Sequence, residues 1–363
     1  QARGVAAAQI LLSSISAGLT YLLGRRLLGD KQARWGALLL ASSLGSIVYS
    51  LFVLTETLFT VLLLLTTCAL VLYRDSGGPG YAAIGGAMTG LAMLCRPIAL
   101  FFPILVIPLF TLARPASWHE RSKITLVFLA VVCMLVTPWI VRNYQLVGSP
   151  TLSTISSQNL LFYNAASLEA WRNDEGQSEV REDLRDRVEI ELARRGAGDD
   201  DSLRLRLYRE WARHIILAHP WRYAYVHLRS DLNSFLPNIT EFLELIGVTH
   251  GGKGTLSVLN QHGLRAAVRH YFGNRTWLVW IVLPLVGLLG LTYIGAALGV
   301  FVLVRRHSWF VLALTVIPCA YFLLIPGAPS HPRFRVPVMP YLCLLAGTGL
   351  KSIWDWITGR SRR

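Results

Sequence analysis

The sequence predicts an all-α membrane protein with about nine transmembrane helices and a mainly helical extracytoplasmic domain between the sixth and the seventh. Hydrophobic residues make up 53% of the 363 residues and charged residues only 15%, whereas a soluble domain carries about 25% charge. The mean hydropathy is +0.46. Of the net charge of +14, the region 142–275 contributes only +1. Basic residues therefore cluster at the ends of apolar segments, which is typical of membrane proteins and argues against nucleic-acid binding.

The predicted spans follow from bilayer thickness, since a core of about 30 Å needs about 20 apolar residues in a helix. The fifth span is short and carries Pro103 and Pro108, so we expect it to be kinked or tilted. The nine segments are 5–24, 35–53, 55–73, 81–97, 98–113, 124–141, 277–304, 309–326 and 336–353.

Orientation follows from the connections between spans. Fourteen of the 18 basic residues outside 142–275 follow the first, third, fifth, seventh and last spans, so that side is predicted to be cytoplasmic. The predicted domains are a six-span bundle over 1–141, an extracytoplasmic domain over 142–275, and a three-span bundle with a basic cytoplasmic tail over 276–363. This orientation starts the chain outside at Gln1, so we expect a preceding span and outer loop to be missing.

The outer region is predicted to be helical. Residues 177–197 alternate charges at helical spacing, which indicates a solvated helix. A second helix over 203–218 ends at His219-Pro220. A third runs from Trp221 to about residue 235, and its Trp- and Tyr-rich face suits a membrane interface.

Soluble catalytic and metal motifs do not occur in the sequence. It contains no P-loop, GxSxG, HExxH or strand-linked GxGxxG pattern. The five cysteines lie in apolar stretches without CxxC or CxxH spacing. We therefore expect no cofactor, and nothing indicates a metal ion.

Glu56 is the first candidate site residue, because it is the one acidic residue embedded in membrane sequence outside the predicted cytoplasmic loops and tail. An ionisable group there costs several kcal/mol unless it is paired, which favours a functional role. The alternative is a helix start, with Thr55 as N-cap and Glu56 stabilised by the helix dipole.

Arginines on the outer face are the other candidates, because they oppose the positive-inside rule. Arg96 ends the fourth span, and it could bind phosphate or snorkel to lipid headgroups. Arg142, Asn143 and Tyr144 follow Pro-Trp at the end of the sixth span, in an order more specific than an aromatic belt.

A pair of arginines precedes the last predicted span. Arg333 and Arg335, with His331 nearby, are predicted to form an anion-binding site, and the prolines of this segment stiffen its backbone. A lone histidine, however, is more often structural than functional. One carboxylate and at least four arginines above a helical bundle would suit a lipid-linked phosphate. The cations would stabilise the phosphate as it leaves.

Seven landmarks along the chain, in this order, resemble one family, the polyprenyl-phosphate-dependent type C glycosyltransferases. The resemblance is to its protein O-mannosyltransferase-like group (family 39-like), which also includes the lipid A aminoarabinose transferases. The landmarks are RRLLG (25–29), LTETLFTVLLLL (54–65), GLAMLCRPIALFFP (90–103), TPWIVRNYQLVGSP (137–150), LSTISSQNLLFYNA (152–165), ILAHPWRYAYVHLRSDL (216–232) and HPRFRVPVMPYL (331–342).

The resemblance implies an enzyme of the plasma (inner) membrane that moves a hexose or pentose from a polyprenyl-phosphate donor to an extracytoplasmic protein, lipid or glycan, with inversion. A carboxylate is the general base. In the family that carboxylate lies in the first outer loop, to which no position here corresponds, so Glu56 is predicted as a second carboxylate that orients acceptor or base. Arg96, Arg142, Arg333 and Arg335 are the predicted phosphate ligands, with Arg142 and Arg333 preferred.

Two other classes of function remain open from the sequence. A flippase or transporter of lipid-linked sugars would be expected to show repeated halves and charged helices at the midplane, and neither is evident. A non-catalytic membrane scaffold is the other alternative, and an unrelated upstream sequence would favour it. The expected partners are the bilayer, the lipid-linked sugar and its acceptor, with no nucleic acid.

Overall fold

A computed structural model describes residues 2–198, 200–248 and 255–359. Within these ranges the regular structure is helical and contains no strand, which confirms the predicted all-α class. The α-helices are α1 (Ala2–Leu27), α2 (Asp30–Ala41), α3 (Leu44–Leu51), α4 (Glu56–Ser76), α5 (Pro79–Cys95), α6 (Phe102–Leu112), α7 (Trp118–Val147), α8 (Ile155–Asn159), α9 (Ala166–Asn173), α10 (Gln177–Arg194), α11 (Asp201–Ala218), α12 (Pro220–Asp231), α13 (Ile239–Leu245), α14 (Thr255–Phe272), α15 (Val279–Arg305), α16 (Trp309–Leu324) and α17 (Met339–Ile357).

Short helical turns of other types link several of these helices. A π-helical turn, Leu160–Ala165, joins α8 to α9. The 3₁₀ turns are Pro97–Ala99, Leu232–Phe235, Thr276–Leu278 and Pro332–Val338.

The apolar helices support a multi-pass membrane protein. Among the described residues, five helices are long and apolar enough to cross a bilayer, and three shorter apolar helices accompany them. These eight helices coincide with eight of the nine predicted spans. The five are Arg3–Leu27, Glu56–Ser76, Trp118–Val147, Thr276–Arg305 and Pro332–Ile357, and the shorter three are Pro79–Cys95, Phe102–Leu112 and Trp309–Leu324.

The remaining segment, predicted as one helix over 35–53, is divided into α2 and α3. Ser43 has an extended backbone, and its side chain accepts a hydrogen bond from the Ser46 amide at 3.5 Å. Serine side chains compete for backbone donors and favour helix starts over helix interiors. The Ser42-Ser43 pair therefore ends one helix and caps the next, although the surrounding sequence is apolar.

The chain packs as two compact units, the first formed by 1–64, 236–316 and 336–363. Its centre is α17, in which every residue from Met339 to Gly349 is buried. Helix α15 approaches α17 closely at Gly295, where an added Cβ would lie 3.2 Å from Ala346. Small residues allow such close contact between membrane helices.

The second unit comprises 65–235 and 317–335. Within it, α10 buries Val180, Leu184, Val188 and Leu192 at four-residue spacing, and they pack with residues of α11. The helix predicted over 177–197 is therefore solvated on one side only. Because this division follows packing, the boundaries predicted at 141 and 275 remain predictions.

Helices α11 and α12 confirm the predicted break at His219-Pro220. Trp221 is 87% exposed, and Tyr225, Leu228 and Leu232 are also exposed. The interfacial role of this face remains a prediction. The arginines of the predicted cytoplasmic tail, Arg360, Arg362 and Arg363, lie outside the described residues.

Candidate functional site

Arg96 and Arg333, two predicted phosphate ligands from distant parts of the chain, meet at one aromatic ring. Each guanidinium Cζ lies 5.3 Å from the centroid of Phe334. Arg96 is extended because the residue before a proline disfavours helical geometry, and α5 ends there. Both arginines are half-buried. Both guanidinium groups therefore contact the same ring, and a guanidinium is a group that binds phosphate well.

The neighbouring residues of the same 3₁₀ turn play different parts. Arg335 is 3% exposed, and its Nη1 donates to the Ser234 carbonyl at 2.8 Å. His331 is exposed, and its Nδ1 accepts from the Arg333 amide at 3.4 Å. Arg335 therefore anchors the turn, while the side chain of Arg333 lies on Phe334.

The loop before this turn is held by two buried polar side chains that the sequence analysis did not single out. Asp231 is 2% exposed, and its Oδ1 accepts from the Gly327 amide at 2.8 Å. The Oδ1 of Asn164 accepts from the Ala328 amide at 3.3 Å. The two bonds fix consecutive amides of the loop.

His227 joins these side chains into one network. Its Nδ1 lies 2.9 Å from the Tyr223 hydroxyl. Its Nε2 lies 2.8 Å from the Leu324 carbonyl and 3.4 Å from Asp231 Oδ2. Burial raises the pKa of the Asp231 carboxyl, although His227 and the Gly327 amide act in the opposite direction. Burial also raises the pKa of Tyr223 to about 12, and the Asp231 charge adds to this.

A sequence signal for this network existed but was weak. His227 and Asp231 are four residues apart, a spacing that puts both on one face of a helix. The positive φ of Gly327, 63°, is a turn feature that glycine permits. Neither pattern identifies the partner, which comes from another part of the chain.

Arg142 lies in a different setting. It is exposed, its Cζ is 4.7 Å from the Trp139 ring centroid, and it donates to Asn143 Oδ1 at 3.3 Å. Asn143 Nδ2 donates to the Thr151 carbonyl at 2.7 Å, and Tyr144 is 59% exposed. Within the described residues, the ring contact and hydrogen bond of Arg142 are local to α7 and do not involve the other arginines.

Glu56 belongs to the first unit and is 2% exposed. It is the first residue of α4, and the Thr55 carbonyl accepts the Phe59 amide at 2.9 Å. This is the helix start that the alternative interpretation requires, and the dipole there stabilises a carboxylate. The burial goes beyond what a cap needs, so its functional role stays a prediction.

The fold is that of an all-α protein whose apolar helices indicate a multi-pass membrane protein. Two of its arginines, Arg96 and Arg333, contact one aromatic ring. Residues 1–141 match the model of the dolichyl-phosphate-mannose-protein mannosyltransferase family. The match includes Glu56 and Arg96, whereas Arg333 lies beyond it. No curated protein and no solved structure matches the chain.

In the described ranges, no three His, Cys, Asp or Glu side chains are grouped as a metal site would require.

Proposed function

We propose that the protein is an integral-membrane glycosyltransferase that moves a sugar from a polyprenyl-phosphate donor to an acceptor on the extracytoplasmic face. The observation that carries this proposal is the convergence of Arg96 and Arg333 on Phe334. The family match over residues 1–141 supports it, because that family is named for a dolichyl-phosphate sugar.

The reaction is a single displacement with inversion. An acceptor oxygen attacks the anomeric carbon, and the bond between that carbon and the phosphate oxygen breaks. The phosphate leaves with the bonding electrons as polyprenyl phosphate, while a carboxylate accepts the acceptor's proton. Glu56 orients the acceptor or this base.

The arginines act on the leaving group. Negative charge grows on the phosphate as the bond breaks, and fixed guanidinium groups stabilise it without reorganising. The contact of Arg96 and Arg333 with one ring supports this role, because a side chain that is already held loses less freedom on binding. The apolar tail of the donor lies among the membrane helices.

Transfer from radiolabelled polyprenyl-phosphate sugars tests the proposal. The donors carry mannose, glucose, arabinose or aminoarabinose, and the membranes contain the protein expressed from its natural gene. Arg333→Ala and Arg96→Ala should each lower kcat/KM for the donor about 30-fold, since a charge-assisted bond contributes about 2 kcal/mol.

The matched control is Arg187→Ala, which removes the same charge from an exposed ion pair with Asp183 on α10. It should leave transfer within about twofold, because exposed pairs contribute little. Absence of transfer from every donor, or an equal loss in the Arg187 variant, would overturn the proposal.

A further inference from the structure

We propose that Asp231 and Asn164 are positioning residues for the donor phosphate, acting through the loop 327–330 that leads into Arg333. This inference rests on the proposed function, and it assigns residues outside the part of the chain that the family model covers.

The first support is the hydrogen bonding of the loop. Asp231 Oδ1 holds the Gly327 amide at 2.8 Å, and Asn164 Oδ1 holds the Ala328 amide at 3.3 Å. The loop then closes on itself, since the Ser330 amide donates to the Gly327 carbonyl at 2.9 Å. Arg333 follows three residues after Ser330, so little chain separates the held loop from the guanidinium.

The second support is that residues on both sides of Arg333 contact Ser234. The hydroxyls of Ser330 and Ser234 lie 2.6 Å apart. Arg335 Nη1 donates to the Ser234 carbonyl at 2.8 Å. The segment containing Asp231 and Ser234 therefore holds residues both before and after Arg333, and the side chain of Arg333 lies on Phe334.

The third support is the use of a buried carboxylate. Burying a charge is costly unless it is hydrogen-bonded and paired. Within the described residues, Asp231 Oδ2 has no hydrogen-bond partner, although His227 Nε2 is 3.4 Å away. The oxygen that accepts the Gly327 amide is therefore the part of Asp231 that holds the loop, and the amide oxygen of Asn164 holds the neighbouring loop amide in the same way.

The fourth support is the close fit around Gly327. Its φ of +63° favours glycine, and an added Cβ would lie 2.5 Å from Asn164 Oδ1. The loop backbone thus approaches both Asn164 and His227 as closely as a residue without a side chain permits. A loop held this tightly sets the place of the turn that follows it.

The test compares steady-state kinetics of Asp231→Ala, Asp231→Asn and wild type with the full chain in membranes. Asp231→Ala should raise the donor KM at least tenfold and leave the acceptor KM unchanged. Asp231→Asn keeps an acceptor oxygen for Gly327 and should recover the donor KM to within about threefold of wild type. Hydrogen exchange at the Gly327 and Ala328 amides should be faster in Asp231→Ala alone.

Asp200→Ala is the matched control. Asp200 Oδ1 also accepts a backbone amide, that of Leu203 at 2.9 Å, but it does so at the exposed start of α11. Asp200→Ala removes the same carboxylate and the same kind of hydrogen bond, but at the start of α11 and not at the loop 327–330. The donor KM should therefore not change. Where Asp231→Ala does not accumulate, Asn164→Ala tests the neighbouring bond, and it should raise the donor KM about threefold or more.

The outcomes separate the two proposals. An unchanged donor KM in Asp231→Ala, with transfer lost in Arg333→Ala, would overturn the positioning role and leave the proposed function standing. A lower kcat together with a higher KM for both donor and acceptor, which Asp231→Asn does not rescue, would show that Asp231 has a general role in folding. No transfer by the wild type from any donor would overturn the proposed function and this inference with it.

Discussion

The segments around Arg142 and Arg333 look alike in sequence and differ in structure. Each places an arginine beside an aromatic residue and a proline, near the end of an apolar helix. Around Arg142 the segment's own side chains tie it down, since Trp139 Nε1 donates to the Leu152 carbonyl at 3.0 Å and Asn143 binds the same loop. Around Arg333 the ties come from residues far away in the chain, such as Asp231 and Asn164.

The two segments differ in where the contacts that hold them come from. The contacts of Arg142 come from its own helix, and its exposed guanidinium lies on Trp139 and donates to Asn143. In the segment held by distant residues, Arg333 contacts the same Phe334 ring that Arg96 contacts. The origin of the ties is thus more informative than the composition of the motif.

The largest expected effect comes from filling the space behind the held loop. Gly327, Gly148 and Gly196 have nearly the same φ, 63°, 63° and 64°. An added Cβ meets His227 and Asn164 at Gly327, meets Ser202 Cβ at 2.9 Å at Gly148, and meets no described atom within 4 Å at Gly196. Alanine should lower the free energy of unfolding by about 2–4 kcal/mol at Gly327 and about 1 kcal/mol at Gly196.

Thermal unfolding in detergent measures this series, with Gly148→Ala expected between the other two. The shared φ makes each glycine a control for the others. Equal shifts in melting temperature at all three positions would show that the side chains around Gly327 move aside at little cost. That result would weaken the contrast between the two segments.

The next effect separates the two arginines. Arg333→Ala should lower donor kcat/KM about 30-fold, whereas Arg142→Ala should change it less than threefold, because Arg142 is exposed and lies on Trp139. Donor titrations in membranes measure both. A loss at Arg142 as large as that at Arg333 would restore the preference that the sequence gives to Arg142.

A smaller effect concerns the tie within the Arg142 segment. Asn143 Nδ2 donates to the carbonyls of Thr151 at 2.7 Å and Leu152 at 3.2 Å. Asn143→Ala should lower the free energy of unfolding by about 1–2 kcal/mol and leave the donor KM unchanged. Melting curves and transfer kinetics on one preparation test this, and a raised donor KM with an unchanged melting temperature would contradict it.

The smallest effect is a dependence of stability on pH. Burial raises the pKa of Asp231 above its ordinary value of 3.8. Between that value and the raised one, the folded state binds more protons than the unfolded state, so stability falls as pH rises. Wild type should therefore lose melting temperature relative to Asp231→Asn as pH rises from 4 to 7, and Asp200→Asn serves as the exposed control. An opposite trend would contradict the raised pKa.

Much of the fold could be predicted because apolar length is a property of single segments. Eight of the nine predicted spans coincide with helices, and the break at His219-Pro220 is where expected. The division at Ser42-Ser43 was not predicted, because two polar residues in an apolar run do not change the run's average.

The candidate site was predictable only in part, for a different physical reason. Arginines in predicted outer loops stand out by charge, and in the structure Arg96 and Arg333 contact one ring. The tie between Asp231 and Gly327 joins residues 96 positions apart. No local pattern encodes such a pairing, which depends on how distant helices pack.

The π-helical turn over Leu160–Ala165 contains Asn164, whose oxygen holds the Ala328 amide. A π-turn accommodates one more residue than an α-turn, and such turns are frequent at functional sites. Deleting one residue between 160 and 163 would allow the turn to close as an α-helix. Because each residue of an α-helix advances it by about 100°, the deletion would swing Asn164 off the loop without changing any residue that touches it. The register of this turn is thus part of the site, because the loss of one residue here would move Asn164 away from the Ala328 amide while leaving the asparagine itself in the chain.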